Sequence, residues 1–212
     1  MCVEAAVNYA MGLPHGDNPS CVGDAVRRFK IALNDSNAWT SKAARAKGLR
    51  RVAIAQLGSD KIDQFKFLKA LALETIRQIL PIALRNVGVR HPHLATEFEA
   101  LSASCEAATN LFRARRAAST ADSATYAAHA AVGQGAAYNL SAAHAAYNLS
   151  AAMTVGAAAS TATHAASVHA DPDKILTLSA EIAVQILIKM GCQGCEWLDL
   201  VPLEQAPHDQ GN

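Results

Sequence analysis

Large side chains are scarce in this sequence. Aromatic residues fill 5% of its 212 positions although 51% are hydrophobic, and alanine makes up much of the difference. Each buried alanine contributes little area, so helices must approach closely and stability must accumulate from many small contacts. Net charge is nearly absent too, at +1, which excludes a strong field around the whole molecule and bulk attraction to nucleic acid or lipid. The amino end, Met1-Cys2-Val3-Glu4-Ala5, lacks the basic region and apolar run of a signal peptide, so a cytoplasmic protein is expected. Cysteine is sparse: Cys2, Cys21, Cys105, Cys192 and Cys195 are an odd, scattered set that predicts free thiols. Two Asn-Leu-Ser sequons, at Asn139 and Asn148, are read as products of a repeat. There is no Gly-rich phosphate loop, no nucleophile elbow and no His-Glu-x-x-His. No catalytic residue and no cofactor is therefore assigned, and an enzyme would have to assemble its site from distant residues.

Charge is missing most completely between Asp122 and Asp171, where forty-eight residues hold no Asp, Glu, Lys or Arg and twenty are Ala. A single helix of that length would be a rod about 70 Å long, too long for a domain of this size. Gly133-Gln134-Gly135 predicts a turn and Gly156 a second break or a close helix crossing, giving about three close-packed pieces. The stretch from Ala136 to His144 recurs at once from Ala145 to Met153, a nine-residue tandem repeat that rotates a helix by about 180° and so is no heptad seam. The Asn, Gln, His, Ser and Thr of this block interrupt any strongly apolar run of membrane length, so no membrane span is expected.

Elsewhere the punctuation is helical. Asn18-Pro19 reads as a cap and first-turn proline for a helix through Val26, Phe29 and Leu33, ended by Asn34-Asp35-Ser36-Asn37. Thr40 or Ser41 caps a helix through Leu49, Val52 and Leu57 that stops at Gly58. Ser59 or Asp60 opens a third, with Ile62, Phe65, Leu68, Ala72, Leu73 and Ile76 as its buried stripe and Pro81 as its bend or end. His91-Pro92 restarts the chain into a helix faced by Phe98, Leu101, Cys105, Ala108 and Phe112, closing on Arg113, Arg115 and Arg116. Asp171-Pro172-Asp173 opens a core helix that Gly191 closes. The expected architecture is all-α: a single-domain multi-helix bundle over residues 1–203, with basic helices at about 18–90, alanine-rich helices at about 117–170 and a core helix at 172–190. A flexible tail is expected at 204–212.

Few residues invite chemistry. Cys192-Gln193-Gly194-Cys195 follows a helix carboxyl end, where the dipole disfavours a thiolate, and it supplies only half of a zinc site, with His91, His93 or Cys21 as conceivable partners. It reads instead as a turn whose cysteines pack with Trp197 beneath the last helix. His129, His144, His164 and His169 are not at the i, i+4 spacing of a metal pair. His15 and Asp17 sit in a turn where capping is the commoner role. No metal ligand is assigned.

Charge distribution is more informative than its sum. Residues 26–90 carry fourteen Lys and Arg against four acids, a local +10, while the first twenty-five residues sum to −3 and those after Arg90 to −6. Within that basic segment Lys47, Arg50 and Arg51 share about 100° of a helical wheel and are the candidate partner or phosphate contacts. A helix-turn-helix reading meets Asp60 and Asp63 at the start of the would-be recognition helix, so nucleic acid is the alternative partner and a solvated face answered by acids of the same chain is the plainer account. Ala127-Ala128-His129-Ala130-Ala131 and Ala145-Ala146-Tyr147 resemble the alanine-rich helical immunity proteins of bacterial polymorphic toxin systems. That resemblance covers about a quarter of the chain and implies a protein partner, a toxin, bound without catalysis.

Overall fold

The computed structural model describes residues 3–10, 12, 14–132, 137–152 and 155–201. These form ten α-helices and, among the described residues, no strand: α1 (Val3–Ala10), α2 (Asp24–Asn34), α3 (Lys42–Ala55), α4 (Gln64–Gln78), α5 (Leu80–Arg90), α6 (Ala95–Glu106), α7 (Leu111–Val132), α8 (Ala137–Ala152), α9 (Val155–Val168) and α10 (Pro172–Lys189). Short 3₁₀ helices span Ser59–Lys61, Pro92–Leu94 and Gln193–Leu200. The all-α bundle expected from the sequence is thus observed.

The caps explain where the helices begin. Ser41 accepts from Ala44 N–H at 3.0 Å to start α3, and Asp171 accepts from Lys174 N–H at 3.1 Å to start α10, with Pro172 in its first turn. Gly191, at φ +68°, follows the last turn of α10. The helix expected to bend or end at Pro81 ends at Gln78, and Pro81 stands in the first turn of α5, with Ile79 between the two helices.

Other boundaries differ from the sequence reading. Helix α2 begins at Asp24, not after Asn18-Pro19, because Gly23 is the residue in extended conformation whose N–H is taken by Ser59 Oγ at 2.9 Å. The cap of α4 is Asp63, which accepts from Phe65 and Lys66 N–H at 3.0 Å each, while Ser59 and Asp60 belong to the 3₁₀ turn before it. The buried face of α4 is accordingly Phe67, Leu71, Ala72, Thr75 and Ile76, and Phe65 points outward under Lys69, whose Nζ lies 4.2 Å from the ring centroid. Helix α6 stops at Glu106, and Asn110 starts α7 by accepting from Arg113 N–H at 3.0 Å. Arg113, Arg115 and Arg116 therefore occupy the first turns of a helix rather than its carboxyl end, and Phe112 is exposed. Gly156 is the second residue of α9 and not itself a break, and nothing lies within 4 Å of where its Cβ would stand, so it is not a close helix crossing either. The expected turn at Gly133-Gln134-Gly135 and the expected flexible tail at 204–212 lie outside the described residues.

Two apolar clusters fill the bundle. One joins Phe29 and Leu33 of α2, Leu49 and Val52 of α3, Phe67 and Leu71 of α4, the alanines of α9 and the apolar face of α10. The other joins Leu80, Leu84 and Val87 of α5, Phe98 and Cys105 of α6 and the alanines of α7. Helices α4 and α8 contribute to both, since Ala142 and Leu149 face the first cluster and Ala143 and Ala146 the second. Helix α9 buries Ala158, Ala159, Ala162, Ala165 and Ala166 against its neighbours, and each such methyl adds under about 1 kcal/mol where a Leu or Phe would add about 1.5–3. Close approach replaces bulk at the α3–α10 crossing as well. A Cβ on Gly48 would lie 2.6 Å from both Thr177 Oγ1 and the Trp39 ring. The α2–α3 loop is tied to the same place by Thr40, whose N–H donates to Asp173 at 2.9 Å.

Candidate interaction site

A tightly constructed junction forms where the end of α3, the Gly58 turn and the 3₁₀ helix after α10 meet. Gly58, at φ +79°, donates its N–H to Cys21 O at 2.9 Å. Gly194 donates to Leu57 O at 2.7 Å, and a Cβ there would overlap the Ile54 carbonyl oxygen and lie 2.8 Å from Leu57 N and O. Gly23 meets Ser59 and Gln64, and Gln64 itself accepts from Ala25 N–H at 3.1 Å while donating to Ser59 O at 2.7 Å. Three backbone segments are locked together with no room for a side chain between them.

Cys192 and Cys195 take part in that lock. The Cys192 thiol donates to Ala55 O at 3.1 Å, and Cys195 Sγ lies 4.0 Å from the same oxygen. Burial pushes both thiols up, Cys195 to about 11, so neither holds a thiolate at neutral pH. Cys192 also stands at the amino end of a 3₁₀ helix, a position that favours thiolate, and desolvation outweighs it. The spacing has a structural cause. In a 3₁₀ helix residues three apart lie in one row, and Cys192, Cys195, Leu198 and Val201 are that inward row. The next row starts at the buried Gly194 and then turns outward, with Trp197 55% and Leu200 71% exposed, so the indole expected beneath the last helix is instead on the surface.

Two adjoining clefts open beside this row and share Gly58, Lys61 and Gln193. One, of about 440 Å³, is bounded by Cys21, Asp60 and Trp197; the other, of about 470 Å³, by Asp63, Lys66, Lys189 and Met190. Cys21, one of the three conceivable zinc partners, is therefore near the Cys-x-x-Cys turn, yet among the described residues no group of three or more His, Cys, Asp or Glu could hold a metal ion. Four cysteines, Cys21, Cys105, Cys192 and Cys195, are free thiols.

The other candidate residues are dispersed. Lys47 and Arg50 are exposed on α3. Arg51 turns inward: its Nε pairs with Glu181 at 3.0 Å and it donates to Val201 O at 2.7 Å, with the two side chains only 17% and 18% exposed. It ties α3 to α10 and to the end of the 3₁₀ helix, and the strip keeps two outward members. His15 and Asp17 are exposed in their turn. His91 and His93 meet edge to face at 6.1 Å. His164 is lowered by burial, His169 accepts from Asp171 N–H at 2.9 Å, and His144 lies 3.5 Å from Asp122 and edge-on to Tyr126. The side chains of His129 and Tyr138 lie outside the described residues.

The junction was legible only in part. Gly58 and Gly191 signal helix ends, and the turn expected at Cys192 and Cys195 does pack its cysteines inward, but the period-three row that continues through Leu198 and Val201 and leaves Trp197 outside has no counterpart in the sequence reading. No family model matches the chain, and no curated protein and no solved structure matches it. No helix among the described residues is long and apolar enough to cross a membrane.

Proposed function

We propose that this is a cytoplasmic bacterial protein that acts without catalysis by binding another protein, with an immunity-like inhibitor of a toxin as its specific form. The observation that carries the reading is the exposed pair Trp197 and Leu200, set on a junction whose backbone is fixed by glycine contacts and the buried Cys192 thiol. Tryptophan is enriched among binding hot spots, and a rigid support lowers the cost of ordering its large surface when the partner arrives. The polar groups around it, Asp60, Lys61, Gln193, Glu196 and Asp199, would form the rim. Nucleic-acid binding through Lys47 and Arg50 is the second reading. It draws on their shared exposed face and is weakened by the commitment of Arg51 to Glu181.

The test is identification of a bound protein from a bacterial host by affinity capture, followed by Kd measurement with the purified partner. Trp197→Ala should weaken that complex by at least about thirtyfold, the loss of a hot spot of about 2 kcal/mol. An unchanged Kd would remove the junction from the interface. Binding to mixed-sequence DNA or RNA that falls steeply with salt and is lost in Lys47→Gln with Arg50→Gln would move the assignment to the second reading.

A further inference from the structure

The solvent face of α7 carries arginines that no acid among the described residues pairs with, beside two exposed rings of which Tyr126 meets His144 edge-on. Its buried side is Ala114, Ala117, Ala118, Ala121, Thr125 and Ala128. On the opposite side Phe112, 76% exposed, and Tyr126, 52% exposed, bracket Arg115 and Arg116, with Arg113 on the flank. At 100° per residue these five occupy an arc of about 160°. The two rings stand about 21 Å apart along the helix. Between them Thr120 and Ser123 turn their hydroxyls back to Arg116 O and Ser119 O, both at 3.1 Å.

Three acids of α4 and α6, the helices packed beside α7, are engaged by other arginines. Glu99 and Glu106 are both held by Arg85, at 2.9 and 2.5 Å, and Glu74 by Arg77 at 3.0 Å. Asp122, the only acid of α7, faces His144. Arg113, Arg115 and Arg116 make no ion pair among the described residues. They also stand in the first turns of a 22-residue helix with no acid beside them, where the backbone dipole is positive and cations are least favoured. The free protein keeps three like charges together against that dipole, and a negative partner would relieve the arrangement.

We infer that this face of α7 docks an acidic protein surface. The patch is arginine and aromatic with no lysine, the composition of a protein interface core, and arginine engages carboxylates in bidentate fashion. Single-stranded nucleic acid is bound by charged grooves with stacking rings, whereas this is the ridge of one helix. The surface is separate from the Trp197 junction: α4 meets the clefts at its amino end, and near its carboxyl end Arg77 lies 3.4 Å from Glu106 O, just before α7.

The experiment uses the full chain and two fluorescent probes, an acidic peptide in which Asp and Glu alternate with Leu and Phe, and a mixed-sequence single-stranded DNA. The peptide should bind at low salt, and Arg115→Gln with Arg116→Gln should weaken it by at least about tenfold. Phe112→Ser should weaken it as well, while Lys47→Gln with Arg50→Gln and Trp197→Ala leave it unchanged. All these positions are exposed, so the variants should keep the wild-type Tm. Peptide binding that is absent, or equal in the arginine and Phe112 variants, overturns the inference. DNA binding that is tighter than peptide binding and lost in the same variants also overturns it, by assigning the face to nucleic acid. Failure of the Trp197 reading alone would leave the outcome at α7 untouched.

Discussion

Gly194→Ala should be among the most damaging single-methyl changes in this protein, and the reason can be worked from its surroundings. The added Cβ would overlap the Ile54 carbonyl oxygen and stand 2.8 Å from Leu57 N and O, all backbone atoms at the end of α3. Backbone cannot swing aside as a side-chain tip can, so the 3₁₀ helix must move outward. Overpacking of this kind costs about 1–3 kcal/mol. The movement also stretches the Gly194 N–H bond to Leu57 O, now 2.7 Å, worth about 0.5–1.5 kcal/mol. Alanine recovers about 0.4–1 kcal/mol by restricting the unfolded chain, which leaves a net loss of about 2–3 kcal/mol. Gly191, three residues earlier, is the internal control. Its φ is +68° but nothing lies within 4 Å of a Cβ, so Gly191→Ala should cost only the left-handed strain, about 1 kcal/mol. Urea unfolding followed by far-ultraviolet circular dichroism gives both values from the shift in midpoint. Equal losses, or a greater loss at Gly191, would refute the claim that contact and not conformation makes glycine necessary at 194.

Other predictions bear on charge and protonation. Glu181→Gln should destabilise by about 2 kcal/mol, since it leaves the Arg51 guanidinium largely buried without its carboxylate, and thermal unfolding at fixed pH measures it. Burial lowers the His164 pKa below its ordinary 6.5, so the unfolded chain binds the extra proton first. Stability should therefore be full above about pH 6.5 and be lost as pH falls through the folded value, and His164→Gln should flatten that slope in urea midpoints taken at several pH values. Cys105, pushed up to about 12, and Cys195, pushed up to about 11, should resist alkylation by iodoacetamide in the native protein and react fully in urea, as intact-mass measurement will record.

Sequence reasoning succeeded where a local signal matched the physics. Asp171-Pro172 and Ser41 are caps whose side chains bond the helix beginning they announce. It failed where two signals competed within a few residues. Phe65 and Phe67 are both aromatic on α4, and only the cap at Asp63 and the Lys69 contact fix which one turns outward. Ala107 and Ala108 gave no sign that α6 had ended, because alanine continues a helix by propensity; Asn110 alone marked the restart. That single missed cap placed three arginines at the wrong end of a dipole. Arg51 could not have been separated from Lys47 and Arg50 by wheel angle, since what removes it is Glu181, 130 residues away.

The alanine packing of α7, α8 and α9 makes the mutational response of this half one-sided. A side chain that already ends at Cβ has almost nothing to lose by truncation, so the cavities that dominate loss of stability in leucine cores have little source here. Enlargement is the hazard, since Ala142, Ala146, Ala158, Ala162 and Ala165 are fully buried and even one added methylene must displace a neighbouring helix. Drift in such a block is confined to positions such as His144 and Asn148 that stand in solvent. The same uniformity makes a nine-residue duplication tolerable, because a half-turn of rotation exchanges one alanine-lined side for another.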